Sequence, residues 1–258
     1  MKLTVLGGAA AGGNPGQGCS GYLVESDDAA IVLDLGPGTL PQLRLHTRLD
    51  DLAAIVVSHL HLDHVLDLLA LRYALAYNPE RSGRRMPLWL PPGGLAFLDR
   101  LATALQEDGA PVAAYFDVFD AHEYEPDAPL AIGPFTLRFH PTIHWVPCWA
   151  IRVSDDAGRG DLVYTADTGP GADLAPFAAD AAVLVAEGTE GNGPVGEAAL
   201  RGHLTPEEAA MLAIRAAARS LVLTHLWAEH DPDRCGRRAS SIYPGPVTVA
   251  APGLAVMW

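Results

Sequence analysis

A strand-like run, Ile55-Val56-Val57, leads directly into Ser58-His59-Leu60-His61-Leu62-Asp63-His64, and this segment restricts the fold more than any other. In extended backbone, residues two apart project to the same side, so His59 and His61 can face one point. Val65-Leu66-Asp67-Leu68-Leu69 then begins a helical pattern. Asp63 and His64 therefore sit at the turn into a helix N-terminus and can face a second, nearby point. Neutral imidazole and carboxylate are the ligands that borderline divalent ions such as zinc prefer. A purely structural cluster of three histidines and an aspartate would leave several imidazoles competing for partners. The chain therefore needs a fold that delivers a strand end to a metal site.

The surrounding pattern supplies the strands. Short apolar runs occur at Leu3–Leu6, Tyr22–Val24, Ala30–Leu33, Ala54–Val57, Pro87–Leu90, Phe135–Phe139, Ala150–Val153, Asp161–Tyr164, Ala182–Val185, Leu221–Thr224 and Val247–Ala250. Helical periodicity appears in Leu40–Leu49, His64–Ala76, Leu95–Leu105 and Pro206–Arg219. The last has a full start signal, with Thr205 as N-cap, Pro206 in the first turn and Glu208 three residues after the cap. Mixed sheets covered by helices are the economical way to bury this many apolar strands. No linker, low-complexity stretch or fixed-period repeat divides the chain, so one α/β domain over residues 1–258 is expected.

Composition narrows the function classes. Hydrophobic residues make up 49% and charged residues 19%, as in a globular protein. Apolar stretches are broken well before a membrane-spanning length. Met1 to Gly8 reads as a first strand running into a glycine loop, so a cytoplasmic location is expected. Cys19, Cys148 and Cys235 are odd in number and widely spaced, which offers no disulfide framework and suits a reducing compartment. The formal net charge of −14 weighs against a sequence-independent nucleic-acid binder, which needs a basic face. Arg81, Arg84 and Arg85 form a basic group that could guide a small anion, but Asn78-Pro79-Glu80-Arg81-Ser82-Gly83 marks it as a solvated turn.

The His59–His64 run resembles the His-x-His-x-Asp-His signature of the metallo-β-lactamase superfamily. Leu6-Gly7-Gly8, Cys19-Ser20-Gly21-Tyr22-Leu23-Val24 and Leu33-Asp34-Leu35-Gly36 extend the resemblance to the branch containing ribonuclease Z and small phosphodiesterases. That resemblance implies an α/β fold, an αββα four-layer sandwich, with two divalent metal ions along one sheet edge. Zinc is the first choice of metal, with manganese or iron as alternatives.

The remaining ligands are carried over one at a time. His144, before Trp145-Val146-Pro147-Cys148-Trp149, resembles the next metal histidine, with His140 its rival at a strand end. Asp167, in Thr165-Ala166-Asp167-Thr168-Gly169, resembles the carboxylate that bridges both ions. His225, ending Leu221-Val222-Leu223-Thr224, resembles the last ligand, whereas His230 reads as a surface residue. The implied set is His59, His61 and His144 on one ion, Asp63, His64 and His225 on the other, and Asp167 between them. His203, in Gly202-His203-Leu204-Thr205, resembles the histidine that lies beside the metals and touches substrate. Asp63 and His203 are the catalytic candidates. Trp145, Trp149 and Trp227 stand close to proposed ligands and are candidates for a pocket wall or for the core.

The expected activity is hydrolysis of small phosphodiesters by a hydroxide held between the ions. Ester, lactone, β-lactam or sulfate ester hydrolysis is the alternative, since fold and metal fix reaction class better than substrate. A redox enzyme ranks below both, because flavin-linked di-iron relatives replace part of the His-x-His-x-Asp-His run with glutamate and carry a flavodoxin domain, neither of which is found here. A non-catalytic metal scaffold ranks below them because every ligand position is filled. Transfer-RNA processing relatives carry a long arm between the metal histidine and the bridging aspartate. Here 22 residues separate His144 from Asp167, and strands use most of them. A small-molecule substrate is expected rather than nucleic acid or membrane. Related enzymes are often dimers, so a homodimer belongs among the expectations.

Overall fold

The computed structural model describes residues 1–79, 83–105, 111 and 114–258. Six strands come first: β1 (Lys2–Gly7), β2 (Gly21–Glu25), β3 (Ala30–Leu35), β4 (Leu52–Val56), β5 (Met86–Leu90) and β6 (Phe119–Glu123). Seven follow: β7 (Leu130–Ile132), β8 (Phe135–Pro141), β9 (Trp149–Asp155), β10 (Leu162–Tyr164), β11 (Val183–Glu187), β12 (Leu221–Thr224) and β13 (Val247–Val249). The last, β14 (Ala255–Met257), returns to pair with β1. Two seven-stranded sheets result, ordered β14-β1-β2-β3-β4-β5-β6 and β13-β12-β11-β10-β9-β8-β7.

Both sheets follow one pairing scheme. In the first, β14 through β3 pair antiparallel and β3 through β6 pair parallel. In the second, β7 through β10 pair antiparallel and β10 through β13 pair parallel. The chain has no repeat of residues, yet it repeats a topology.

The sheets pack face to face. Leu3, Val5, Val24, Ile31 and Leu33 of the first meet Phe135, Leu137, Ile151, Val153 and Val185 of the second in the central core. Six helices are used below: α1 (Thr39–His46), α2 (Leu62–Val65), α3 (Asp67–Tyr77), α4 (Gly94–Leu105), α5 (Pro206–Arg215) and α6 (Pro232–Ser240). Leu43 of α1, Leu71 of α3 and Leu98 of α4 cover the outer face of the first sheet. Ala209, Ala213, Cys235 and Ala239 of α5 and α6 cover that of the second. The layers read αββα. No helix among the described residues is long and apolar enough to cross a membrane.

The structure revises several element boundaries. The expected helix over His64–Ala76 is divided at Leu66 into α2 and α3, and Asp67 at the division accepts the Leu40 amide (2.8 Å). Helix α5 stops at Arg215 rather than Arg219, because Ala217 takes a left-handed conformation (φ 49°) and turns the chain toward β12. Strands β6, β7 and β14 and helix α6 had no expectation. Helix α6 escaped because its buried face is only Cys235, Gly236 and Ala239, too narrow an apolar stripe to read. The start signal of α5 is realised as a capping box: Glu208 N–H donates to Thr205 Oγ1 (3.2 Å) and Thr205 N–H to Glu208 Oε2 (2.8 Å). Of the basic group, Arg81 lies outside the described residues. Arg84 donates to the Leu52 carbonyl, and Arg85 is exposed.

Candidate metal centre

In open sheets, sites gather at the carboxyl ends of parallel strands, and both halves of this chain obey that rule. Asp34 lies near the end of β3, His59 and His61 follow β4, and Asp167 follows β10. Glu187 ends β11, and His225 follows β12 in a left-handed conformation (φ 57°). Asp63 and His64 stand in α2. Gly36 makes room for that turn, since a Cβ there would lie 1.9 Å from the Asp63 carbonyl oxygen. An isolated bridge between His59 and Cys148 ties the β4 extension to the loop carrying His144.

These side chains form two sets whose donor atoms lie within 4.8 Å of one another: His59, His61, His144 and Asp167, and Asp63, His64, His225 and Asp167. Asp167 belongs to both. Its Oδ2 is 3.7 Å from His59 Nε2 and 3.7 Å from His144 Nε2. Its Oδ1 is 3.5 Å from His64 Nε2 and 3.7 Å from His225 Nε2. One carboxylate thus turns an oxygen toward each set. Asp63 Oδ2 completes the second set, 3.0 Å from His225 Nε2 and 3.4 Å from His64 Nε2. His61 Nδ1 completes the first, 3.0 Å from His144 Nε2.

The far side of each ring explains why these nitrogens point inward. His64 Nδ1 donates to Asp34 Oδ2 (2.7 Å), and His144 Nδ1 donates to the Gly202 carbonyl (2.9 Å). The Ser58 hydroxyl donates to Asp34 Oδ2 (2.8 Å), which leaves its oxygen to accept from His59 Nδ1 (3.0 Å). The Thr189 hydroxyl donates to Glu187 Oε2 (2.6 Å), which leaves its oxygen to accept from His225 Nδ1 (2.7 Å). With Nδ1 protonated in each of these rings, Nε2 carries a lone pair into the site. His59 Nε2 and His64 Nε2 are buried and have no hydrogen-bond partner. Orphaned buried acceptors are costly unless a cation takes their lone pairs. The donor set and these two orphans fit divalent metal.

Electrostatics agree. Burial and neighbouring histidines lower the proton affinity of His59, and burial lowers that of His61 and His144, which keeps lone pairs available. Asp63 and Asp167 are held well below the usual carboxylate range: the histidines around them outweigh the burial that opposes charge. His64 runs the other way: burial opposes its charge, but Asp167 and Asp34 outweigh it and push it up, so without an ion a proton is favoured where the two carboxylates call for positive charge.

His203 lies beside the second set, its ring 5.5 Å from that of His225. Its Nδ1 is 2.9 Å from Oε1 and 3.1 Å from Oε2 of Glu187. Burial would lower its pKa, but Glu187 overcomes this and raises it to about 9. Glu187, His203 and His225 also lie close enough to hold an ion. Both Glu187 oxygens are already engaged, by the Thr168 amide (2.7 Å) and the Thr189 hydroxyl, so this carboxylate serves as the partner of His203. Buried Arg201 fixes the His203 segment, gripping Glu208 through two nitrogens (2.8 and 2.6 Å) and donating to the His203 carbonyl (3.1 Å).

All seven expected ligand positions converge. His140 does not: it pairs with Ala150 in the sheet and stacks on Phe177 (5.2 Å). His230 is tied to the Thr189 carbonyl (3.1 Å), outside the cluster. Of the tryptophans, Trp149 packs edge-on against Tyr124 (6.1 Å), Trp227 lies beside Gly12, and Trp145 lines the pocket. Asp34, Ser58, Glu187 and Thr189 carried no expectation of a role. The available signal was a carboxylate at the end of an apolar strand, present in both Leu33-Asp34-Leu35 and Val185-Ala186-Glu187. The 22 residues from Trp145 to Ala166 hold the end of a loop, β9, a turn and β10, with no projecting arm.

Known proteins resemble this chain in sequence and fold. The model of the beta-lactamase superfamily domain matches residues 30–226. The probable metallo-hydrolase YhfI of Bacillus subtilis is 32% identical over 257 residues, covering 98% of each chain. Its crystal structure superposes with a TM-score of 0.84 at 28% identity, over 99% of this chain and 98% of that one. A ribonuclease Z of Streptomyces coelicolor is 30% identical over 299 aligned positions, 96% of this chain and 95% of the relative. The two sheets, the paired donor sets and this kinship agree: the chain belongs to the metallo-β-lactamase superfamily, in its ribonuclease Z-like branch, and is a metal-dependent hydrolase.

Proposed function

We propose that the protein hydrolyses small phosphodiesters at a dinuclear centre. The observation that carries this reading is Asp167, whose two oxygens address two separate sets of imidazoles. His59, His61 and His144 would hold one divalent ion and Asp63, His64 and His225 the other, with Asp167 serving both. Zinc suits these nitrogen and oxygen donors, and manganese or iron could also occupy them. When bound, two such ions supply an activated water and positive charge to meet the charge that develops on a phosphoryl group.

The chain's own residues do the rest. Ser58, Asp34, Gly202 and Thr189 fix the ring orientations, so the site is assembled before substrate arrives. His203 holds one proton against Glu187 through Nδ1 and has Nε2 left for the pocket. With its pKa raised to about 9, it is protonated near neutral pH and can donate from Nε2 to a departing alkoxide oxygen. Glu187 keeps that imidazolium oriented and charged. The second catalytic candidate, Asp63, lies 3.0 Å from His225 Nε2 and would offer its Oδ2 to the second ion.

Small substrates are favoured over transfer RNA. The segment between His144 and Asp167 is filled by β9 and β10, and the net charge is −14. The ribonuclease Z alignment is longer than this chain, so that relative carries residues this protein lacks. The three buried free thiols suit work in the reducing cytoplasm.

The test is a panel on zinc- or manganese-reconstituted protein: bis(p-nitrophenyl) phosphate, a cyclic nucleotide, an aryl lactone, a chromogenic β-lactam and an aryl sulfate. Phosphodiesters should turn over fastest and chelation should abolish the activity. Faster lactone turnover, or efficient trimming of a transfer-RNA 3′ trailer at physiological salt, would sink the reading.

A further inference from the structure

The cavity above the cluster measures about 270 Å³, and its wall is uneven in character. One side is His61, Asp63, Asp167, His203 and His225. The other is apolar, formed by Ala11, Leu62 and Trp145. Among the described residues that line it there is no lysine or arginine. A phosphate bound here can be met at the metal cluster and by His203, but nothing on the far wall would hold a second phosphate. What the far wall offers is a ring.

Trp145 is 67% exposed, whereas Trp149 and Trp227 are half-buried against neighbours. An exposed indole is ordinarily mobile, but this one has a seat. Its ring centroid lies 5.0 Å from that of His144 and 5.0 Å from that of His203, edge-on to the latter at 80°. Behind it stands Gly202, where a Cβ would come within 3.0 Å of Trp145 Cε2 and 3.1 Å of His144 Nδ1. The same glycine therefore lets the indole approach the backbone and offers its carbonyl to His144. Leu62, 53% exposed, continues the apolar surface across the mouth. A fixed aromatic face open to solvent next to a phosphate-sized polar site is a stacking platform, since every nucleobase has a π-face to lay on it.

We infer that Trp145 is a specificity-determining residue that stacks the base of a nucleotide whose single phosphate is the diester to be cleaved, and of the nucleoside monophosphate that cleavage leaves. The inference rests on the phosphodiesterase reading and adds the substrate class to it. The phosphate sits toward His203 and the cluster, and the base covers the indole face.

Binding of adenosine 5′-monophosphate and of ribose 5-phosphate to the zinc-loaded protein, measured by calorimetry, isolates the base, because the two ligands share the phosphoribose. The nucleotide should bind about tenfold tighter, equivalent to about 1.4 kcal/mol. W145A should bring the two affinities together while leaving ribose 5-phosphate unchanged, and W145F should keep part of the preference. The nucleotide should also quench tryptophan fluorescence in the wild type, and W145F should lose most of that signal. Equal affinities in the wild type, or a W145A variant that weakens both ligands alike, would overturn the proposal. A protein that cleaves no phosphodiester yet keeps the Trp145-dependent preference would refute the hydrolytic reading and leave the base platform standing. A phosphodiesterase without the preference would do the reverse.

Discussion

Oδ2 of Asp34 lies 2.7 Å from Nδ1 of His64, across 30 residues of chain, with both side chains fully buried. The same carboxylate accepts from the Ser58 amide and hydroxyl and from the Tyr164 hydroxyl (2.8 Å). Asp34 belongs to neither donor set, yet it orients His64 directly and His59 through Ser58. Partners of this kind typically account for about 10–100-fold in metal affinity or activity. Asp34→Asn is expected to weaken ion binding by a factor in that range while the fold persists. Titration with a competing chromophoric chelator measures it, and an unchanged affinity would refute the role.

Asp167 connects the two donor sets, so its loss should not be confined to one. Asp167→Asn should reduce the ion content of purified protein from two per chain toward none. Loss of His61, by contrast, should leave the second position occupied. Elemental analysis of both variants, dialysed against the same free zinc, distinguishes them. One firmly retained ion in the Asp167 variant would show that the carboxylate serves a single position.

His203 should separate chemistry from metal content. His203→Ala is expected to keep the ions and lower kcat by about 10²–10⁴-fold, the usual contribution of a placed proton donor. The defect should be greatest on alkyl phosphodiesters and small on nitrophenyl esters, whose leaving groups depart without a proton. Glu187→Gln should lower the pH at which activity falls on the alkaline side, because the negative charge that raises the His203 pKa to about 9 is removed. A variant that loses metal and activity together would make His203 a ligand or a ligand's support.

Burial raises the phenols of Tyr22, Tyr124 and Tyr164 above their ordinary range. The folded state therefore favours the neutral ring. The stability these rings contribute is complete below pH of about 10, the ordinary phenol value, and is lost as pH rises past it. Tyrosinate absorbance from them should appear together with loss of near-ultraviolet circular dichroism. Tyr124→Phe, which gives up only hydrogen bonds to the Val57 and Ser58 carbonyls (3.1 and 3.3 Å), should move that transition to higher pH. Ionisation of Tyr124 ahead of unfolding would contradict its burial.

The convergence of these side chains was legible in the sequence because its densest part is local. His59, His61, Asp63 and His64 share one strand end and one turn, where spacing translates directly into direction. Asp167 and His225 were legible only through resemblance, since an aspartate before a glycine and a histidine after a strand are common in any fold. Asp34 and Glu187 stayed hidden for a physical reason. Their function is to accept hydrogen bonds from side chains distant in sequence, and local periodicity carries no trace of that. Strand β14 and helix α6 were missed on similar grounds. The first is a three-residue edge strand defined by its pairing with β1, and the second buries too little for its pattern to show.

The proposed ligands come from both sheets: His59, His61, Asp63 and His64 follow β4, while His144, Asp167 and His225 belong to the second half of the chain. Ions bound there would rivet the two layers together, and drawing one out would leave buried imidazoles and carboxylates without the cation they converge on. The bound state gains RT ln(1 + [L]/Kd) over the unfolded chain, so the protein's durability becomes a function of free metal concentration. Where the ion is scarce, the protein would lose more than turnover: the bond between its two layers would weaken with it.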